Sequence, residues 1–184
     1  MKPTEILSSE HCVIEHILKA LTMAADKIRE DQQVRPGFFI DASDFIKEFA
    51  DGCHHKKEEG VLFKAMAESG MSLQNGPIAV MLHEHEQGRL YTREMREAAR
   101  RLELGDDSAR KAIVENALGY TTLLRQHIYK EDNILFPMAN RAISLDHQNK
   151  LISDFERLEQ EETGEGIHEK YLAMAEALEK ETLQ

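Results

Sequence analysis

A ten-residue pattern occurs twice in this chain of 184 residues, and it constrains the fold more than any other feature. The first copy, HHKKEEGVLF, begins at His54, and the second, HIYKEDNILF, begins at His127. Both copies place a glutamate four residues after the first histidine, and both end in Leu-Phe. Because an α-helix turns about 100° per residue, residues four apart lie on one helical face. Each copy therefore predicts a helix that aims one imidazole and one carboxylate at a common point.

A second repeated element supplies one histidine from each of two other helices. The dipeptide Glu10-His11 is matched by Glu84-His85, and the interval between these two histidines is one residue longer than the interval between the two copies of the first pattern. His16 fits less well, since its interval to His85 is four residues too short. The two nearly equal intervals predict two helix hairpins related by an approximate twofold axis, each giving one lone histidine and one His-x-x-x-Glu pair.

This arrangement predicts a metal site with six ligands. They are His11, His54, Glu58, His85, His127 and Glu131. Imidazole suits iron, zinc, copper and nickel, whereas carboxylates can bridge two cations and offset their charge. With Glu58 and Glu131 as bridges and two histidines per cation, each metal has four protein donor atoms. The remaining positions are open to water or to a small exogenous ligand, which is typical of a reactive site.

Several neighbouring polar residues leave alternatives open. His55 lies about 100° round the helix from His54, so we expect it to point away, with a role as an additional ligand as the alternative. Glu59 and Asp132 are either acceptors that orient ligating imidazoles or solvated acids. Arg89, one turn after the third-helix histidine, can bind an anion or pair with a bridging carboxylate. A single His-x-x-x-Glu is common on exposed helices, and it is the repetition at one interval that favours the metal site.

Glycine and proline divide the chain into long segments that are rich in helix-forming residues. The four long helices are predicted at about 4–30, from 41 or 43 to 70, at 77–104 and from 108 to about 137. Pro137 should bend or end the fourth of them. Two shorter helices are expected from Leu145 onward, separated at Gly164-x-Gly166.

These segments predict an all-α fold, an up-down-up-down four-helix bundle with additional C-terminal helices. We expect residues 1–143 to form the bundle. Residues 144–184 are then a helical appendage that packs on the bundle or forms a dimer surface.

Composition excludes several classes of partner. The formal net charge of −11 and the pI near 5.3 argue against a nucleic-acid or anionic membrane surface, which requires clustered Lys and Arg. An apolar run long enough to cross a membrane is missing, and the N-terminus does not resemble a signal peptide, so we expect a cytoplasmic protein. Cys12 and Cys53 are too few for a disulfide framework and are interpreted as small buried side chains.

Four stretches resemble, in order, the helix motifs of hemerythrin-like, or HHE cation-binding, domains. They are Glu10-His11, HHKKEEGVLF, GPIAVMLHEHEQGR and RQHIYKEDNILFPMA, within about residues 5–143. The last two are similar to bacterial members, including di-iron proteins linked to repair of damaged iron–sulfur centres. The resemblance implies a non-haem di-iron site with ligands at the six positions above. The implied cofactor is iron, as two ions that an oxo or hydroxo group can bridge, with zinc and manganese as alternatives.

The chain departs from oxygen-carrying hemerythrins at two positions. Where their third helix has His-x-x-x-His, His85 is followed by Arg89, and where their fourth has His-x-x-x-x-Asp, this chain has His127-x-x-x-Glu131. Fewer histidines imply a more open, carboxylate-rich site. We therefore predict a metal-binding protein that binds or reacts with oxygen, peroxide or nitric oxide, or that holds iron, with a homodimer as an option. The alternative is an iron- or oxygen-responsive module that acts through its C-terminal helices.

Overall fold

The computed structural model describes residues 1–162 and 167–183, and these residues form an all-α four-helix bundle with two further helices. Each of the four long helical stretches of the bundle is called a rod here. The first rod is α1 (Pro3–Arg29) and the third is α4 (Pro77–Glu103). The second and fourth rods are composite, since each changes helix type along its length. This architecture confirms the predicted up-down-up-down bundle.

The second rod contains two π-helical segments, in which backbone hydrogen bonds join residues five apart. It consists of α2 (Pro36–Phe45), segment πA (Ile46–His55), segment πB (Glu58–Leu62) and α3 (Phe63–Glu68). The rod begins earlier than the predicted residue 41 or 43, because Pro36 suits the first turn of a helix. It ends where predicted, with Gly70 at φ +97°.

The fourth rod contains one such segment. It consists of α5 (Ala109–Lys130), segment πC (Glu131–Leu135) and α6 (Phe136–Ala142). Pro137 does not end this rod, because it lies in the first turn of α6 after the change of helix type, where a missing N–H costs little. Segments πB and πC begin at Glu58 and Glu131, so the repeated sequence pattern adopts the same local structure twice.

Two apolar clusters fill the bundle, and the predicted metal ligands lie between them. The cluster nearer the chain's N-terminus is built by Leu7, Leu62, Phe63, Met66, Ile78, Met81, Leu135, Phe136 and neighbouring residues. The larger cluster extends from Val13 and Ile14 on α1 towards the other end of the bundle. His11 therefore sits on α1 between the two clusters, at the level of the predicted site.

The C-terminal helices α7 (Leu145–Glu162) and α8 (Ile167–Thr182) contribute to both clusters. Leu151 and Phe155 of α7 join the smaller cluster, and Tyr171 and Leu178 of α8 join the larger one. The predicted break at Gly164-x-Gly166 lies outside the described residues.

The two cysteines differ in their exposure to solvent. Cys53 is buried, as expected, but Cys12 is exposed, because it lies on the outer face of α1. In the described parts of the chain, none of the helices has both the length and the apolar character that crossing a membrane requires.

Candidate metal centre

The six residues predicted from the repeat converge in the middle of the bundle. Each of them is at most 3% exposed, and both glutamates are fully buried. The carboxylate of Glu58 lies between His54 and His85, with oxygen-to-Nε2 distances of 3.6 and 3.4 Å. Glu131 lies in the same way between His11 and His127, and both of its distances are 3.2 Å. Each glutamate thus connects a histidine of one helix hairpin with a histidine of the other.

The imidazoles form two matching pairs. The ring centroids of His11 and His54 are 4.7 Å apart at an interplanar angle of 60°, and those of His85 and His127 have the same separation and angle. The predicted approximate twofold axis therefore holds at the level of side-chain geometry. We call the His11 and His54 side the first half of the centre and the His85 and His127 side the second half.

His55 also faces the centre, and the expectation that it points away was wrong. Its side chain is buried, its ring stacks on His85 at 3.8 Å, and its centroid is 6.0 Å from that of His127. The structure thus contains two groups of donor atoms, and the atoms within each group lie within 4.8 Å of one another. They are His55, Glu58, His85 and His127, and His11, His54, Glu58 and Glu131. The second half therefore has three imidazoles, whereas the first has two.

His55 faces the centre because of the local helix type. His55 is the last residue of πA, and a π-helix has more residues per turn than an α-helix, so adjacent side chains diverge less than they would in an α-helix. Gly52 lies inside this segment, where an added Cβ would be only 3.1 Å from the carbonyl oxygen of Lys47. The sequence signal that was missed is therefore this mid-helix glycine, together with Asp51 four residues before His55.

A ring of carboxylates holds the outer nitrogens of the imidazoles. Each Nδ1 lies within hydrogen-bond distance of one carboxylate oxygen: His11 with Asp132 at 3.1 Å, His54 with Glu10 at 2.9 Å, His55 with Asp51 at 2.8 Å, His85 with Glu59 at 2.7 Å and His127 with Glu84 at 2.9 Å. Glu59 and Asp132 thus take the orienting positions that were one of their two interpretations. The Glu-His dipeptides have a second role, since Glu10 and Glu84 hold the histidines of the neighbouring helices. The sequence repeat pairs these dipeptides but does not indicate that role.

This ring decides which nitrogen of each imidazole faces the centre. A neutral imidazole that donates from Nδ1 to a carboxylate has its Nε2 lone pair free for a metal. Nε2 of His85 and Nε2 of His127 are 3.0 Å apart, so two such lone pairs face each other. The Nε2 atoms of His11 and His55 and all four oxygens of Glu58 and Glu131 are buried without a hydrogen-bond partner. Buried polar atoms of native proteins are nearly always satisfied, so this convergence of donor atoms fits bound cations.

In the metal-free protein, protons on the histidines supply part of the positive charge that bound cations would supply. Burial lowers the pKa of His11, but the hydrogen bond to Asp132 and the adjacent carboxylate of Glu131 outweigh it and raise the pKa to about 10. Burial is likewise outweighed at His127, where the charge of Glu131 contributes most to a pKa of about 9. At His55 burial prevails, and it lowers the pKa well below the usual value. Metal binding must therefore displace protons from each half of the centre.

Two phenylalanines from the repeated pattern cover the centre on its apolar side. The ring of Phe136 stacks on His11 with centroids 5.6 Å apart, and that of Phe63 stacks on His85 at 6.1 Å. Both phenylalanines are at most 2% exposed and belong to the smaller apolar cluster. The Leu-Phe endings of the two copies therefore shield the lone histidines from water.

The twofold relation does not extend to the lysines of the repeat. The Nζ atom of Lys57 donates to Glu10 at 2.5 Å and to Glu159 of α7 at 2.8 Å, and the lysine side chain is 1% exposed. Its counterpart Lys130 donates to Glu84 but is 32% exposed. Glu10, Cys53 and Glu159 form a third group of possible cation ligands, and the ammonium of Lys57 lies against it.

The remaining candidates lie outside the centre. Arg89 contacts Glu59 at 2.7 Å, Glu86 at 2.5 Å and Asp51 at 3.4 Å, and among the described residues it pairs with neither Glu58 nor Glu131. His16 pairs with Glu179 of α8 and is 40% exposed, which agrees with the choice of His11 over His16. His83 is exposed on α4.

Comparison with known proteins gives an independent view of the chain. The model of the hemerythrin HHE cation binding domain matches residues 2–139. An uncharacterized protein of Mycobacterium tuberculosis is 23% identical over 161 residues, covering 88% of this chain and 62% of that protein. The iron-sulfur cluster repair protein YtfE of Dickeya chrysanthemi is 31% identical over 130 residues, covering 68% of this chain and 58% of the relative. The chain thus spans about three-fifths of the length of these relatives. No solved structure gave a significant match.

Proposed function

Because the chain belongs to the hemerythrin HHE cation-binding domain family, we propose that its buried centre holds two iron ions and that this di-iron site binds or reacts with oxygen, peroxide or nitric oxide. The similarity to iron-sulfur cluster repair proteins favours iron among the metals that imidazole and carboxylate can bind. Iron in such a site supplies redox chemistry and a binding position for a small ligand.

The observation that carries this proposal is the pair of donor groups that share Glu58. A single cation does not need five imidazoles and two carboxylates, whereas two cations use them all when Glu58 and Glu131 bridge. Two negative bridges offset part of the charge of two divalent ions, which is the usual role of carboxylates between cations.

If Glu131 also bridged to the second half, the first half of the centre would have more room for a small ligand. His11 and His54 supply two imidazoles there, and the second half has a third from His55. With Glu58 in both donor groups and Glu131 3.2 Å from Nε2 of His127, two bridging glutamates would leave the first half one protein donor fewer, so we propose the small ligand on that side. The stacked rings of Phe136 and His11 limit the access of water to it.

The test is aerobic iron loading of the metal-free protein, followed by metal analysis, optical spectroscopy and Mössbauer spectroscopy. We expect about two irons per chain, two distinguishable iron environments, and spectral changes on addition of oxygen or nitric oxide. Fewer than about one iron per chain, or preferential retention of zinc in a mixed-metal competition, would contradict the proposal.

One observation favours the second candidate function, a sensing module that acts through the C-terminal helices. Lys57 joins Glu10, which holds His54, to Glu159 of α7. A change in the charge of the centre would therefore reach α7 through a single buried lysine. Hydrogen exchange of α7 should then differ between the metal-free and iron-loaded protein, and Lys57→Met should abolish the difference. Equal exchange in both states would remove this second function and leave the di-iron proposal standing.

A further inference from the structure

A groove lies between α2 with πA on one side and α4 on the other, next to the metal centre. Its cavity volume is about 600 Å³, within the range of small-molecule sites. The lining residues are Ser43, Lys47, Asp51, Arg89, Thr92, Arg93, Arg96 and Arg100. Ser43 and Thr92 are buried in its lining, whereas the basic side chains are partly or fully exposed.

The sequence spacing explains why the basic residues share this face. Arg89, Arg93, Arg96 and Arg100 follow one another at helical spacings of four, three and four residues, so they form one stripe along α4. Lys47 comes from the facing rod, one turn before Asp51. The groove is therefore a concentrated positive region on a chain whose formal net charge is −11.

Several of these charges are available to a ligand. Arg89 is paired with Asp51, Glu59 and Glu86, and Arg96 with Asp44, so their charge is largely neutralised. Within residues 1–162 and 167–183, Lys47 and Arg100 have no ion pair.

The third available charge is that of Arg93. It is 72% exposed, and its carboxylate contact is the exposed Glu94, its sequence neighbour, at 3.7 Å. Such an exposed pair is weak.

The lining selects a class of ligand. Guanidinium groups bind carboxylate and phosphate oxygens through paired charge-assisted hydrogen bonds. The aliphatic stems of the arginines and lysine contribute apolar walls, which suit an apolar ligand body. A long polyanion would be repelled by the acidic remainder of the protein, so a small anion fits better than a nucleic acid. We propose that this groove binds a small organic anion, an apolar body carrying a carboxylate or phosphate group, with Lys47, Arg93 and Arg100 supplying the charge.

The inner end of the groove adjoins the metal centre. Asp51 lines the groove and also accepts the hydrogen bond from Nδ1 of His55 at 2.8 Å. Arg89 contacts Asp51 and Glu59, and Glu59 holds His85 at 2.7 Å. An anion in the groove would thus lie against the side chains that orient two imidazoles of the second half.

The test is isothermal titration of the metal-free full chain at an ionic strength of about 0.1 M, with phenyl phosphate and benzoate as probes. Metal-free protein separates this inference from the di-iron proposal, because anion binding is then measured without iron. We expect saturable binding to one site and weaker binding of inorganic phosphate, which lacks the apolar body. The double substitution Lys47→Ala/Arg100→Ala should weaken phenyl phosphate binding at least about tenfold, since it removes two charged donors.

The matched control is Lys111→Ala/Lys180→Ala, which changes the net charge equally at exposed positions outside the groove. It should leave the affinity within about twofold of the parent, because distant surface charges are screened. Equal weakening by both double substitutions would show that only the overall charge matters and would overturn the inference. So would the absence of saturable binding of either probe to the parent protein.

Discussion

The two halves of the candidate centre share a plan but differ in one ligand. In each half the ring centroids of two imidazoles lie 4.7 Å apart, and Glu58 and Glu131 each begin a π-helical segment. The second half alone has the third imidazole, that of His55. In the second copy of the repeated pattern, the position that matches His55 is Ile128, which lies in the regular helix α5. The repeat therefore builds a symmetric frame, and the unmatched segment πA makes that frame asymmetric.

The halves also differ in how they are anchored. Behind His54, Glu10 is held by a buried lysine that reaches α7, whereas behind His127, Glu84 is held by a partly exposed lysine at the surface. The comparison suggests that asymmetry in ligand number and asymmetry in anchoring can be changed separately.

The largest expected effect comes from Glu58→Ala, because this carboxylate belongs to both donor groups. Metal affinity should fall by more than about 100-fold in both halves, beyond the range typical of outer hydrogen-bond partners. Metal analysis after iron loading and desalting measures this loss. His83→Ala, on the exposed face of α4, is the control and should retain the parent iron content. Loss of only one iron in Glu58→Ala would show that this glutamate does not bridge.

The substitution His55→Ile introduces the residue type that the second copy of the pattern has at the matching position. It should make the two iron environments alike and weaken one of the two irons by about tenfold or more, leaving the other in place. Mössbauer spectra of iron-loaded parent and variant provide the measurement. Unchanged, inequivalent iron signals in the variant would mean that His55 is not a ligand.

The anchoring difference predicts unequal losses of stability in the metal-free protein. Glu10→Ala leaves the buried Lys57 with one carboxylate fewer and should cost about 3 kcal/mol. Glu84→Ala removes the matching contact of the partly exposed Lys130. The loss of that lysine contact should lower the free energy of unfolding by less than about 1 kcal/mol. Both variants lose one histidine hydrogen bond, so each is the control for the other. Equal losses in urea unfolding would contradict the difference in anchoring.

The last prediction concerns protons, because each half of the centre has a histidine whose pKa is raised. His11 and His127 have pKa values raised to about 10 and about 9, so both carry an extra proton at pH 7 that the unfolded chain, near 6.5, mostly lacks. Their contribution to the stability of the metal-free protein is therefore full below pH 6.5 and is lost as the pH rises through 9 to 10. Metal binding at pH 7 should release at least about two protons, since burial of His85 is outweighed by its contacts with Glu58 and Glu59, which raise its pKa as well. Metal affinity should rise over the same pH interval.

Calorimetry in two buffers with different ionisation enthalpies measures this proton release. A release near zero at pH 7 would show that both imidazoles are already neutral before metal binds.

Much of the fold followed from spacing alone, because helical periodicity is a local property. The repeat at His54 and His127 predicted the hairpins and the convergence of six side chains. Gly70 predicted the end of a helix. Local pattern could not predict a change of helix type. The π segments alter which faces adjacent residues share, and this is why His55 was assigned to the wrong face.

Contacts between side chains that are distant in sequence could not be predicted from the local pattern either. Glu10 and Glu84 precede the lone histidines in sequence, yet each holds a histidine of a neighbouring helix. That exchange depends on the packing of rods that are distant in sequence, and so does the contact between Lys57 and Glu159.

The most direct measurement of the central claim is anomalous diffraction at the iron edge from crystals of the iron-loaded protein. Two iron peaks are expected, one bound by His55, His85 and His127 and the other by His11 and His54, with both glutamates shared. One iron peak, or two peaks with His55 turned away from both, would contradict that claim.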